Sequence, residues 1–381
     1  MPDYGMLVPG IGDGDPDDIV VVKALVRAEV AWVEATADAE TASTVATHAE
    51  RILADELRVD ALTRAIAIDA VTTGNPVFGI INALRAGLPA EAAAAVHRNL
   101  TSQDIVDTAM VLTMRDAAQR TVASLDRVCT SLAALARKHR DDPVLAHTLG
   151  QAALPTTFGA RAAGWLHGIG EARSALESVA AELPVAMGGA VGAMHGVAYA
   201  DVERWAALLE LRAPVAPWHV HRHPVTRIAS AFAEVCAELG ATAGDVLAGA
   251  RPEVGELKEP GAKGRGASTA MPFKANPILS ILMRRSALVA PHLLSQTVAA
   301  AALAVDERPD GAWHTEWDAA RSLARHAVIS SRCAAQLAEG LTFDRDAAAR
   351  NLAAHGPADA TPGNAGAVVD AILAAYDERG K

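Results

Sequence analysis

Five stretches of this chain, at about 105–140, 156–182, 225–249, 277–305 and 311–338, each read as one long unbroken helix. No other feature restricts the fold as much. In the first stretch Ile105, Val106, Ala109, Met110 and Leu112 form the broad apolar face of a helix inside a bundle. Asp141-Asp142-Pro143 breaks it. Helices of this length suit an elongated bundle, not a compact α/β domain. Aromatic residues are only 4% of a chain that is 51% hydrophobic, so helix formers far outnumber strand formers. The expected fold is all-α: an elongated central bundle of long helices at 105–342, flanked by smaller helical N- and C-terminal domains at 1–104 and 343–381, with no sheet beyond a small hairpin. Shorter helices are expected at about 17–37, 41–55, 61–72 and 76–87, and a Pro/Gly break at 361–366.

The formal net charge is −11 and no Lys/Arg run is present, which argues against nucleic acid as a partner. A negative protein that binds a negative substrate must gather its few cations locally, so chemistry is sought where Arg, Lys and His cluster. Cys129, Cys236 and Cys333 lie far apart in apolar surroundings and read as buried free thiols in a reducing cytoplasm. The opening MPDYGMLVPGIGDGDPDD has neither a basic nor an apolar leader region, so no signal peptide is expected. Ser286–Val305 carries no formal charge and is long enough to span a bilayer. Its Pro291, His292, Ser295, Gln296 and Thr297 point instead to a helix enclosed in a bundle, and no membrane partner is expected.

Four separated segments are unusually polar for so apolar a chain: His97–Asp104, His147–Thr157, Trp218–Arg227 and Lys263–Asn276. Thr101, Ser102 and Asp104 form a capping-box-like helix start, which taken alone is only a cap. HTLGQ at 147–151, taken alone, is only a helix start. The stretch 253–277 differs in kind, with four glycines, three prolines and three lysines between long helices. Loops of this length inside compact proteins are functional or disordered. Asn276 can cap the helix that follows and Pro277 suits its first position, so the loop ends on a helix N-terminus, which favours anions. His219 and His221 stand two apart with no third ligand in evidence, so no metal is expected.

RGASTAMPFKANP at 265–277 resembles the signature of the aspartase/fumarase superfamily, Gly-Ser-x-x-Met-x-x-Lys-x-Asn. Ser268, Met271, Lys274 and Asn276 match it, and Ala267 stands where the pattern has glycine. VHRNLTSQDIVDTAM at 96–110, TGNPV at 73–77, GGAVGAM at 188–194 and GAWHTEW at 311–317 are most similar to the 3-carboxy-cis,cis-muconate cycloisomerase branch. Adenylosuccinate lyases carry a histidine acid where this chain has Leu149, and a phosphate-holding Ser and Arg after Glu-Arg-Asp, where here Glu307-Arg308 is followed by Pro309 and Trp313 and Trp317 occupy the later positions.

The resemblance implies a cofactor-free, cytoplasmic enzyme, a homotetramer with shared active sites, that interconverts a muconate tricarboxylate and its lactone by proton transfer alpha to a carboxylate. It implies Ser268 as the proton-transfer residue, with Lys274 and Asn276 stabilising the enediolate. Donors for the carboxylates of a small polycarboxylate are expected from His97, Arg98, Thr101, Ser102, Gln103, Thr148, Gln151 and Arg222, with Met271 in the loop. In the family pattern an Asp follows this arginine; His223 replaces it, so the partner that orients Arg222 is left open. An elimination lyase acting on a succinyl-type substrate and a catalytically silent helical scaffold stand as alternatives.

Overall fold

The computed structural model describes residues 7–10, 12, 14–271 and 273–379, so part of the segment read for a leader lies outside the described residues. The elements follow in order as α1 (Asp18–Thr36), α2 (Ala39–Leu53), α3 (Glu56–Thr73), α4 (Val77–Arg85), α5 (Ala90–Ala95), α6 (Ser102–Lys138), β1 (Pro143–Thr148), β2 (Gln151–Thr157), α7 (Phe158–Ala181) and α8 (Tyr199–Leu208). They continue with α9 (His223–Gly249), β3 (Leu257–Lys258), α10 (Ile278–Ala302), α11 (Gly311–Gly340), β4 (Thr342–Phe343), α12 (Arg345–His355) and α13 (Ala365–Arg379). The fold is all-α, and its strands form two antiparallel pairs, β1–β2 and β3–β4. The chain divides into two compact units, one of residues 1–119, 178–230 and 292–325, the other of 120–177, 231–291 and 326–381.

In the first unit α1, α2 and α3 each begin on an aspartate cap, Asp17, Asp38 and Asp55, whose carboxylates accept the first free amides. Gly74 closes α3 at φ +76°, a left-handed turn that glycine takes without strain. The core is pinned by Trp32 and Trp205, packed edge to face at 5.3 Å. Their indole N–H groups donate to the carbonyls of Arg98 and Ala28, so neither buried ring leaves a polar atom unpaired.

The second unit holds the hairpin. Leu149 (φ +52°) and Gly150 (φ +77°) are consecutive left-handed residues, the geometry of a two-residue turn matched to the twist of its strands. His147-Thr148 and Gln151 therefore end and begin strands, where HTLGQ alone read as a helix start. Behind the hairpin, Phe158 and Phe343 stack at 4.4 Å and the Trp165 indole donates to Asp245 at 2.8 Å.

One expectation changes. Ser286–Val305 is not enclosed all round by its own chain: Ser286, Ala290, Thr297 and Ala300 are buried, but Leu288 is 65% and Val298 48% exposed. Among the described residues no helix is long and apolar enough to cross a membrane. The three cysteines are free and buried, and burial pushes the Cys236 thiol up to about 12. Its thiolate fraction at neutral pH is on the order of a thousandfold below that of an ordinary thiol. A thiol reagent is expected to react with Cys236 only once denaturant is added, and fast labelling of the native protein would contradict this placement.

Candidate active site

In the first unit the start of α6 is built around Asp104, which is completely buried. Oδ2 accepts the Thr101 amide at 2.8 Å, so the helix start is capped from within. Oδ1 accepts the Gly188 amide at 2.8 Å and faces His219 Nε2 at 2.8 Å. Residue 188 must be glycine, because a Cβ there would stand 2.7 Å from the His219 ring. One carboxylate thus ties α6, the GGAVGAM loop and the 218–222 segment together. Arg308 fastens the same loop by donating to the Gly189 and Ala190 carbonyls.

One turn on, Asp107 organises a second buried cluster. Arg222 donates to it through Nη1 (2.6 Å) and Nη2 (3.0 Å), and to Glu316 through Nε (3.1 Å) and Nη2 (2.5 Å). The Trp313 indole donates to Asp107 at 2.8 Å, and the guanidinium lies 4.8 Å from the centre of the Trp218 ring. Burial works against the charge on Arg222, but Asp107 and Glu316 outweigh it and hold the guanidinium above its ordinary value. Burial also lifts the Glu316 carboxyl above the usual carboxylate range, with Arg222 pulling the other way.

The structure places Arg222, expected to bind substrate, inside this buried cluster. Both edges of the guanidinium are engaged by protein carboxylates and one face by an indole, so no edge is left for a ligand. Gln103 is likewise buried, donating to Asp107 and to the His219 carbonyl. His97 faces the buried Glu29 at 2.6 Å, and Arg98 donates to the Thr36 carbonyl, so both fasten the 97–98 turn to α1. Thr101 and Ser102 remain half-buried at the helix start.

In the second unit Thr148 and Gln151 pair across the hairpin tip, both exposed, beside the fully exposed Leu149. In the signature loop the half-buried Ser268 accepts the Met271 amide on Oγ at 3.1 Å. An N–H directed at a hydroxyl oxygen favours its ionised form. Met271 is 39% exposed and Lys274 is exposed. Asn276 gives both its backbone and its side-chain N–H to the Gly266 carbonyl, at 2.9 and 3.0 Å, so it closes the loop and does not cap α10. The anion site expected at that helix start is already filled: Glu259 accepts the Leu279 and Ser280 amides at 3.1 and 2.7 Å.

The departure at Ala267 has a simple account. The left-handed residue of the turn is Gly266, at φ +70°, and Ala267 lies outside the positive-φ region. A Cβ at 266 would fall 2.3 Å from the Asn276 carbonyl oxygen. Gly266→Ala is expected to pull the loop open and lower kcat about a hundredfold, as a misplacement of ~1 Å does. Its melting temperature should stay within about 5 °C of the parent, since no core contact is lost. An unchanged kcat would show that the Gly266–Asn276 closure is dispensable.

Asp104, Asp107, Glu259, Glu316 and Arg308 were not singled out as site residues from the sequence. The one local signal was spacing: Asp104 and Asp107 are one helical turn apart. Among the described residues no group of three or more His, Cys, Asp or Glu side chains is arranged to hold a metal ion.

A lyase family profile matches residues 16–290. With the helical fold and the signature loop, this places the chain among the lyases of the aspartase/fumarase superfamily, and it belongs to that family. Nitrosuccinate lyase of Streptomyces davaonensis is 42% identical, over 92% of this chain and 77% of its own length. The 3-carboxy-cis,cis-muconate cycloisomerase of Bradyrhizobium diazoefficiens is 38% identical, over 77% of this chain and 66% of its own length. Among solved structures, the crystal structure of 3-carboxy-cis,cis-muconate lactonizing enzyme from Pseudomonas putida matches with a TM-score of 0.78 at 28% identity, covering 94% of this chain and 84% of that one.

Proposed function

We propose that this enzyme removes a proton alpha to a carboxylate of a small polycarboxylate and expels, from the adjacent carbon, a group that departs as a stable anion. Nitrosuccinate is the first candidate substrate. Ser268 Oγ, as the alkoxide, takes the methylene proton. The C–H electron pair becomes the new C=C bond, the C–N bond breaks, and nitrite leaves with its electron pair. The unsaturated four-carbon diacid remains, and Ser268 returns its proton to solvent. Lys274 stabilises the enediolate that forms on the way. Thr101, Ser102, Thr148 and Gln151 are the donors assigned to the carboxylates. The sites are shared between copies of the chain in a homotetramer.

The observation that carries the reading is the Met271 amide on Ser268 Oγ at 3.1 Å, a donor placed to stabilise a serine base. Leu149 supports the choice of leaving group. An amine must be protonated as it leaves, whereas nitrite or a carboxylate needs no acid, and residue 149 has no proton to give. Greater identity over more of the chain puts the nitro elimination ahead of lactone formation, the reading favoured by sequence motifs alone.

Formation or opening of a carboxymuconolactone is the second reading. It uses the same proton transfer with a carboxylate as the departing group, and the overlap with the muconate lactonizing enzyme favours it. A nucleotide substrate is disfavoured by Trp313 and Trp317, in edge contact at 4.6 Å, where a phosphate would need donors. Nitrite release from nitrosuccinate, and loss of diene absorbance from 3-carboxy-cis,cis-muconate, distinguish the two readings.

A further inference from the structure

The loop that carries Ser268 and Lys274 is stapled twice, one staple inside the other. The inner staple is Asn276, whose backbone and side-chain N–H groups both reach the Gly266 carbonyl, at 2.9 and 3.0 Å. The outer staple is Glu259. Its carboxylate accepts the Leu279 amide on Oε2 at 3.1 Å and the Ser280 amide on Oε1 at 2.7 Å, 20 and 21 residues further on. The residue that leads into the loop is thereby fastened to the first turn of α10, the helix that leads out of it. Leu279 and Ser280 are both buried, so loss of the carboxylate leaves two N–H groups of a helix start poorly satisfied.

The neighbouring residues fix where this root stands. Pro260 packs on Gly340 at the end of α11 so closely that a Cβ on the glycine would lie 2.5 Å from the proline ring. Arg265 donates to the Pro260 carbonyl at 3.3 Å and to Gln336 of α11 at 2.6 Å. Beyond the inner staple the pattern reverses. Among the described residues, the hydrogen bonds of 267–275 stay inside the loop: Ala267 donates to the Gly264 carbonyl, Met271 to Ser268 Oγ and Lys274 to the Met271 carbonyl. The tip therefore holds its own shape, while its position is set at the root.

We propose that Glu259 is a positioning residue for the proton transfer, holding the root of the loop so that Ser268 and Lys274 meet the substrate in working geometry. The proposal rests on the role assigned to Ser268 above. Both oxygens of Glu259 face backbone amides, so it acts through the loop and not on the substrate.

Glu259→Ala and Glu259→Gln are compared with the parent as intact proteins. Turnover of nitrosuccinate gives kcat and KM, and hydrogen exchange gives the protection of the Asn276 amide in the inner staple. Glu259→Ala is expected to lower kcat about a hundredfold with KM within about twofold, the pattern of a catalytic group displaced by ~1 Å. Glu259→Gln, whose amide oxygen can still accept one of the two N–H groups, should recover about tenfold of that loss. The Asn276 amide should exchange about tenfold faster in Glu259→Ala, and by a smaller factor in Glu259→Gln. Melting temperatures should stay within about 4 °C of the parent, the effect of one lost helix cap in a chain of this length. Exchange needs no substrate, so a parent that releases no nitrite would sink the functional reading and leave Asn276 exchange to decide the role of Glu259. Unchanged Asn276 exchange in both variants would overturn the proposal, as would, in an active parent, an unchanged kcat or a loss carried by KM alone.

Discussion

Ser268→Ala is expected to lower kcat by about two to four orders of magnitude, the usual contribution of a positioned proton-transfer group. The fold should not change, because among the described residues the hydroxyl's one hydrogen bond is to the Met271 amide in an exposed loop. Substrate affinity should change little, since the hydroxyl acts on a C–H bond and holds no carboxylate. The resulting pattern is a lost kcat with a nearly constant KM, the signature of an interaction made in the transition state alone. Ser268→Cys, which keeps an ionisable group in the same turn, should retain more activity than Ser268→Ala. Rates near those of the parent in Ser268→Ala would move the proton transfer to another residue.

The second large effect concerns stability. Arg222→Met removes the only cation among Asp107, Glu316 and Arg222, all of them buried. Breaking such a cluster from one side leaves uncompensated charge inside the protein, and the expected loss is about 3–5 kcal/mol of unfolding free energy. Arg127→Met, which breaks an exposed pair with Glu339, should change stability by about 0–1 kcal/mol. The Arg222→Met penalty should shrink as the pH falls. Glu316 already sits above the usual carboxylate range through burial, so the folded chain takes up its proton more readily than the unfolded one. That uptake favours folding at acidic pH, and the benefit fades as the pH rises through the folded value. Urea titration of the three proteins at neutral and acidic pH measures all of this. An Arg222→Met protein as stable as the parent at neutral pH would mean the cluster is not a structural centre.

The helices were legible because their signals are local. The apolar period beginning at Ile105 and the break at Asp141-Asp142-Pro143 are written in consecutive residues, and α6 runs from Ser102 to Lys138. The hairpin was less legible, since its turn places Leu149, not Asn or Asp, in a left-handed conformation before Gly150. In the signature loop, Ser268, Lys274 and Asn276 were recognisable by spacing, whereas Glu259, some twenty residues before the helix start it fills, was not. Arg222 marks the limit most clearly. As a lone arginine beside histidines it read as a carboxylate binder, and in a sense it is one. Its carboxylates are the protein's own, 115 residues away at Asp107 and 94 away at Glu316, and no local pattern announces a pairing made by tertiary packing.

The central claim, proton abstraction alpha to a carboxylate with departure of a stable anion, is tested most directly by incubating the purified protein with nitrosuccinate and with adenylosuccinate in parallel. Nitrite and the unsaturated diacid are followed in the first, and release of the nucleotide in the second. The account predicts equal amounts of nitrite and diacid from nitrosuccinate, loss of that release in Ser268→Ala, and no cleavage of adenylosuccinate. Cleavage of adenylosuccinate with no nitrite formed would contradict it.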